Sequence, residues 1–281
     1  MDCVKPTEIA NQMLMAGTIK ANLPVKQLLI RGMLAGAYLA VATSMSVTAA
    51  VQTGQWIVGA MIFPFGLCLV VLLGTELITG SFALLPVATM EGKDGAGIGR
   101  VLQNWGWVFI GNLLGSLLYA SLLAISLTMD WSGEISPIGQ KLIAMAEQRT
   151  TGYAVFQTAG MITVFTKAIL CNWLVSLAVV MAFATTSLTG KIVAMWGPVV
   201  LFFSQGFEHT VVNMFVIPVG MMMGANVSVW DWWVWNQIPV TLGNLVGGMV
   251  FTGLAIYASH KPVTGPALEK APSVSPARMT A

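Results

Sequence analysis

The run Ser204-Gln205-Gly206-Phe207-Glu208-His209-Thr210-Val211-Val212-Asn213 sets a carboxylate beside an imidazole. It lies within an apolar stretch, from about Ile192 to Met223, that is long enough to cross a bilayer. Ionisable groups at that depth face a protein interior or a water-filled path. Gly206 weakens the helix, so the pair is expected at a break, which hydrocarbon tolerates only where protein or a cavity surrounds it. His209 can donate to an anion and, when protonated, cancel its charge. Burial opposes that protonation while a nearby anion supports it, which would couple anion passage to a proton. The bland alternative is a satisfied core histidine. Thr79, in Ile78-Thr79-Gly80, is a second short polar group beside a glycine. Its hydroxyl can donate to an anion or to His209, or bond its own helix carbonyl.

Other polar residues read as supports. Glu76 and Glu208 are each expected to accept hydrogen bonds from freed N–H groups of a following half-helix, where the dipole favours a carboxylate; a proton relay is the rival. Asn172, in Cys171-Asn172-Trp173, needs partners that an interrupted helix supplies. Lys167 interrupts an apolar run and either snorkels to the interface or gathers anions at an outer vestibule. Lys26 and Arg31 can do the same inside, although basic residues flanking a first span are expected anyway. Leu77, Ile78 and Phe202 flank the breaks as dry constrictions or as ordinary packing.

The elements that must hold these residues are membrane helices. Charged residues make up 9% of the chain, against roughly a quarter in soluble domains, and the mean hydropathy is +0.79. This excludes a soluble enzyme, and a net charge of +2 gives no footprint for nucleic acid. Cys3, Cys68 and Cys171 form neither a disulfide framework nor a metal spacing, and no cofactor is implied. No signal-peptide pattern opens the chain. Residues 1–25 read as an amphipathic helix at the membrane surface, with Ile9, Ala10, Met13, Leu14 and Ala16 on one face. Six spans follow at about 28–49, 56–90, 104–128, 154–186, 192–223 and 235–259. Span two is interrupted near Gly74 and Gly80, and span five near Gly206. Residues 130–150 read as a polar connection, and residues 261–281 as a disordered tail. With both termini inside, ten Lys and Arg fall in inner segments while only Lys141 and Arg149 fall outside. The expected location is therefore the plasma (inner) membrane with cytoplasmic termini. Trp230, Trp232, Trp233 and Trp235 mark an outer aromatic belt.

The chain also repeats. Gly111-Asn112-Leu113-Leu114-Gly115 returns as Gly243-Asn244-Leu245-Val246-Gly247, an offset of 243 − 111 = 132. The same offset carries Gly74-x-Glu76 onto Gly206-x-Glu208, and Arg31-x4-Gly36 sits beside Lys167-x4-Asn172 at offset 136. Three spans per copy is odd, so the copies are inverted, and inverted repeats with broken helices mark a transport path at their interface.

Three motifs in order resemble the formate/nitrite transporter family over about residues 7–260. Gly74-Thr75-Glu76-Leu77-Ile78-Thr79-Gly80 looks like its first signature, and Lys167 through Ala178 looks like its second. Gly206-Phe207-Glu208-His209 with Asn213 is similar to its interrupted fifth helix. The resemblance implies an all-α, aquaporin-like protomer of six helices in a homo-pentamer, one pore per protomer. It implies passage of formate, nitrite or hydrosulfide. Thr79 and His209 would be the central polar pair, and Leu77, Ile78 and Phe202 the constrictions. Asn172 and Glu208 would support the histidine and the broken helix, and Lys167 would lie at the outer vestibule. The N-terminal helix would be a candidate pH-responsive gate. Ser176 stands where many members carry cysteine. Gly80-Ser81 replaces other polar pairs, which leaves the shape of that loop open. Leu84-Leu85-Pro86 and Gly224-Ala225-Asn226 look more like the formate branch.

The resulting expectation is a channel or proton-coupled transporter for a small weak-acid anion, formate first, with nitrite or hydrosulfide as alternatives. Two rivals of other classes are weaker. A neutral-solute channel lacks its Asn-Pro-Ala pair. An intramembrane enzyme lacks a His-Glu-x-x-His or Gly-x-Ser-x-Gly motif.

Overall fold

Two glycines decide where this chain leaves the helix. Gly74 and Gly206 both have φ +64, a left-handed conformation that a Cβ disfavours. Each closes a helix in the same way. Thr75 N–H donates to Val70 O at 3.0 Å, and Phe207 N–H donates to Phe202 O at 3.2 Å. These six-to-one bonds, with glycine at C′, are the terminal pattern of a Schellman motif.

The computed structural model describes residues 3–261; the expected disordered tail lies almost wholly outside them. In chain order we label α1 (Pro6–Ala21) and α2 (Val25–Thr53). Next come α3 (Trp56–Leu72, kinked at Pro64), α4 (Ile78–Met90) and α5 (Ile98–Thr128). They are followed by α6 (Pro137–Gln148), α7 (Gln157–Ala184), α8 (Leu188–Ser204), α9 (Thr210–Met222) and α10 (Val229–His260). α2, α5, α7 and α10 are each long and apolar enough to cross a membrane, whereas α3, α4, α8 and α9 are shorter apolar helices. Among the described residues the one strand-like pairing is an isolated bridge between Cys3 and Thr185.

Small residues set the long-helix contacts. A Cβ on Gly36 or Gly115 would lie 2.1 Å from Asn112 O or 1.9 Å from Met33 O, so α2 and α5 meet backbone to backbone. α7 and α10 meet likewise: a Cβ on Gly247 would lie 2.3 Å from Ile169 O. Facing outward on α5, Ile110, Leu114, Leu118 and Leu122 form an exposed stripe at four-residue spacing. In a membrane protein such a stripe meets lipid or another protomer rather than water.

Four sequence expectations change. The expected break at Gly80 is absent, because Gly80 lies inside α4. The polar connection 130–150 contains a helix, α6. Ser136 caps it, its hydroxyl accepting from Gly139 N–H at 3.2 Å, and Pro137 opens it. The apolar face of α1 is covered by protein, not only by the membrane surface. Ala10 and Met13 are buried with Leu84 and Val87 of α4 and Tyr257 of α10. Finally, Arg149 is not an exposed loop charge but is buried.

Candidate functional site

The helices restart where the first ones stop, and one asparagine from the adjoining long helix holds each gap. Asn112 Oδ1 accepts from Ile78 N–H at 3.0 Å. Its amide donates to Glu76 O at 2.8 Å and Gly32 O at 2.9 Å. Asn244 repeats this: Oδ1 accepts from Thr210 N–H at 2.9 Å, and its amide donates to Glu208 O at 2.9 Å and Ala168 O at 2.8 Å. Two of the three hydrogen bonds of each clamp thus serve backbone groups at the break, and the third ties the asparagine to a carbonyl of a neighbouring long helix. The repeat Gly-Asn-x-x-Gly therefore places the asparagine, while its glycines allow the close approach.

The glutamates do not take the half-helix N–H groups that the sequence reading gave them. Glu76 instead pairs with Lys20 Nζ of α1 at 2.7 Å. Glu208 accepts from Tyr153 OH at 2.8 Å, Asn213 Nδ2 at 2.8 Å, Asn236 Nδ2 at 3.3 Å and Arg149 at 3.4 Å. Asn213 Oδ1 also accepts from Arg149, and Asn213 Nδ2 donates to Asn236 Oδ1 at 2.8 Å. Both carboxylates are buried, and a buried charge needs this kind of pairing and hydrogen bonding. Arg149, Tyr153, Asn236 and the two clamps were not assigned from sequence. The Ser136-Pro137 helix start and the asparagine within the repeat were the available signals.

His209 and Leu77 occupy matching positions before the restarting helices, both in extended backbone. Leu77 offers no cap. His209 Nδ1 accepts from Val211 N–H at 3.2 Å and Val212 N–H at 3.3 Å. Two donors require a bare lone pair, so the ring in this arrangement carries its proton on Nε2. Nε2 lies 3.3 Å from Thr79 Oγ1. Thr79 does not make the back-bond to its own helix, because the residue four earlier, Thr75, sits in the break. Its hydroxyl accepts from His209, which leaves the hydroxyl hydrogen able to donate.

Asn172 does not touch His209. Its amide donates to Thr79 O at 3.1 Å and Asn244 O at 2.7 Å, and Ser176 Oγ donates to Thr79 O at 3.5 Å. It fixes the threonine rather than the imidazole. Phe202 stacks beside His209, ring centres 5.9 Å apart at 26°, and is buried, as are Leu77 and Ile78.

Two cavities approach this centre. One, of about 610 Å³, is lined by Lys167, Arg149, Tyr153 and Glu208 among others. Lys167 Nζ donates to Tyr153 OH at 3.3 Å. The other, of about 270 Å³, is lined by Lys20, Arg31, Glu76 and Leu77 among others. Lys26 lines neither and stands exposed near the start of α2. His209 and Thr79 line neither cavity. Among the described residues, no group of His, Cys, Asp and Glu is placed to hold a metal ion.

The formate/nitrite transporter family model matches residues 7–258. The chain is 37% identical to "Uncharacterized transporter YrhG" of Bacillus subtilis, over 92% of this chain and 94% of that one. It is 36% identical to "Probable formate transporter" of Methanothermobacter thermautotrophicus, over 91% and 96%. Among solved structures, "FNT family ion channel" superposes with a TM-score of 0.75 at 27% identity, covering 90% of this chain and 99% of that one. "Pentameric formate channel with formate bound" superposes at 0.66 and 29% identity, covering 84% and 97%. A match that runs from the first helix almost to the end of the last, together with relatives at 36–37% identity, places this integral membrane protein in the formate/nitrite transporter family, a family of channels and transporters and not of enzymes.

Proposed function

We propose that the chain is a homo-pentameric channel for small monovalent weak-acid anions, formate first, with proton-linked passage past His209 in each protomer. The observation that carries this reading is the buried contact between His209 Nε2 and Thr79 Oγ1 at 3.3 Å, between two cation-bearing cavities. α3 with α4, and α8 with α9, each complete one crossing. The six crossings form two inverted, aquaporin-like repeats in the plasma membrane, with both termini cytoplasmic. The matching clamps of Asn112 and Asn244 support that repeat. The pentamer and the formate ligand of one structural relative support the assembly and substrate.

The mechanism follows from desolvation. An anion in either cavity is drawn in by the lining cations. Between the cavities Leu77, Ile78 and Phe202 leave no room for a hydration shell, and loss of water favours the neutral acid. The anion takes up a proton from the entry-side solution as it leaves the cavity, and at the centre His209 Nε2–H turns from Thr79 Oγ1 to the substrate oxygen while the freed Thr79 hydroxyl donates beside it. Nδ1 stays a cap for α9, because protonating it would displace two backbone N–H groups. Glu208 and Asn213 keep the backbone around the ring in place. A proton is consumed at entry, so flux rises as the pH on the entry side falls.

Purified protein in sealed vesicles tests this, with formate, nitrite and hydrosulfide compared across a pH series. His209→Ala and His209→Gln should lower formate flux roughly 10- to 100-fold, the worth of one hydrogen bond to a charged group. Unchanged flux, selectivity and pH dependence in both variants would remove the role assigned to the ring.

A further inference from the structure

The two cavities are unequal in ways that formate does not explain. The one beside Arg149 holds about 610 Å³, within the range of sites that enclose drug-sized ligands, whereas formate has three heavy atoms. The one beside Lys20 holds about 270 Å³. The larger cavity is lined by three cations, Lys141, Arg149 and Lys167, against one carboxylate, Glu208. That carboxylate already has both oxygens occupied. Lys141 is exposed and makes no ion pair among the described residues. Three aromatic side chains share the wall: Trp56, Tyr153 and Phe156. Phe156 is 66% exposed, so its ring is open to a molecule that enters the cavity.

One aromatic of this wall, Trp56, is held from behind. Trp56 stacks on Phe203 with centres 5.3 Å apart and donates Nε1–H to Phe203 O at 3.2 Å. Phe203 stacks on Phe63 at 4.0 Å, and Phe63 meets Phe202 edge-on at 5.7 Å. A ring-sized molecule that enters therefore meets an indole held in place by a stack of three phenylalanines. Flat apolar walls with surplus positive charge suit a flat anion, through stacking and ion pairing.

We propose that this cavity is a binding site for aromatic monoanions, of the arylcarboxylate and arylsulfonate class, which dock there and block the conduit from that side only. The block rests on the proposed transport function; the binding does not.

Naphthalene-2-sulfonate, which stays charged and does not cross lipid, is the probe. Titrated calorimetrically into the purified full chain, it should saturate at one per protomer and be displaced by excess formate. The uncharged 2-naphthalenemethanol should bind at least about tenfold more weakly. Phe156→Ala and Lys141→Gln alter exposed side chains and spare the fold, and each should weaken the sulfonate by about three- to tenfold. In vesicles it should inhibit formate flux from one face of the membrane and not the other. Equal binding of the alcohol, indifference to both variants, or weakening by Arg31→Gln in the smaller cavity would overturn the site. Intact titrations with no formate flux in any vesicle would instead overturn the transport reading and leave the site standing.

Discussion

The break at Gly74 and the break at Gly206 share a scaffold and differ in chemistry. Both use a left-handed glycine, an asparagine from the adjoining long helix, and a buried glutamate paired with a cation from a preceding amphipathic helix or its end. The residue before each restarting helix differs: Leu77 leaves α4 without a side-chain cap, while His209 caps α9 and still presents Nε2. The lesson is that two matching ways to leave the helix need not carry the same chemistry. At the second break an imidazole caps the helix and still has a ring nitrogen to offer, while at the first an apolar side chain stands in its place.

The largest effect that sharpens this comparison comes from the ion pairs. Arg149→Ala leaves Glu208, at 2% side-chain exposure, without its cation, and should cost about 3–5 kcal/mol. Lys20→Ala should cost less, since that lysine is 19% exposed and water reaches the pair. Thermal unfolding of the two variants in one detergent checks the order. Equal losses would show that α1 shields Glu76 as well as Arg149 serves Glu208.

The clamps come next. Asn112→Ala and Asn244→Ala each remove three hydrogen bonds from buried backbone and should cost on the order of 2–3 kcal/mol apiece. Similar midpoints would support equivalence of the two breaks. A loss confined to Asn244→Ala would break the comparison, placing the stability in one half.

The smallest effect separates the two jobs of His209. Asparagine is a good cap, so His209→Asn should hold the unfolding midpoint while His209→Ala loses roughly 1 kcal/mol. Both should lose formate flux, because neither presents a donor where Nε2 stands. A fast His209→Asn would mean that capping is all the ring does.

Much of this was legible in order along the chain. Hydropathy located the long helices to within about six residues at either end, because a bilayer demands a run of apolar residues of fixed length. Gly74 and Gly206 showed where the helices stop. The shared offset of two glycine-asparagine and glycine-glutamate patterns paired the halves. Partners were harder to read. Glu208 has its partners at Arg149, Tyr153 and Asn236, which are 59, 55 and 28 positions away. Hydropathy averages over a window and cannot show that a single arginine at the end of α6 turns inward. It likewise cannot show that Asn172 bonds Thr79 rather than the histidine beside Glu208.

The sequence by itself determined that this is a helical membrane protein, where two of its helices are broken, and which short polar residues stand at the breaks. Those features follow from local composition, backbone preference and the cost of charge in hydrocarbon. Only the tertiary structure decided that asparagines hold the gaps, that both glutamates are spent on cations, and that His209 bonds Thr79 while capping its own helix. Each of these is a hydrogen bond between segments far apart in the chain, or a side-chain direction. A linear order of residues carries neither until packing brings the donors and acceptors within reach.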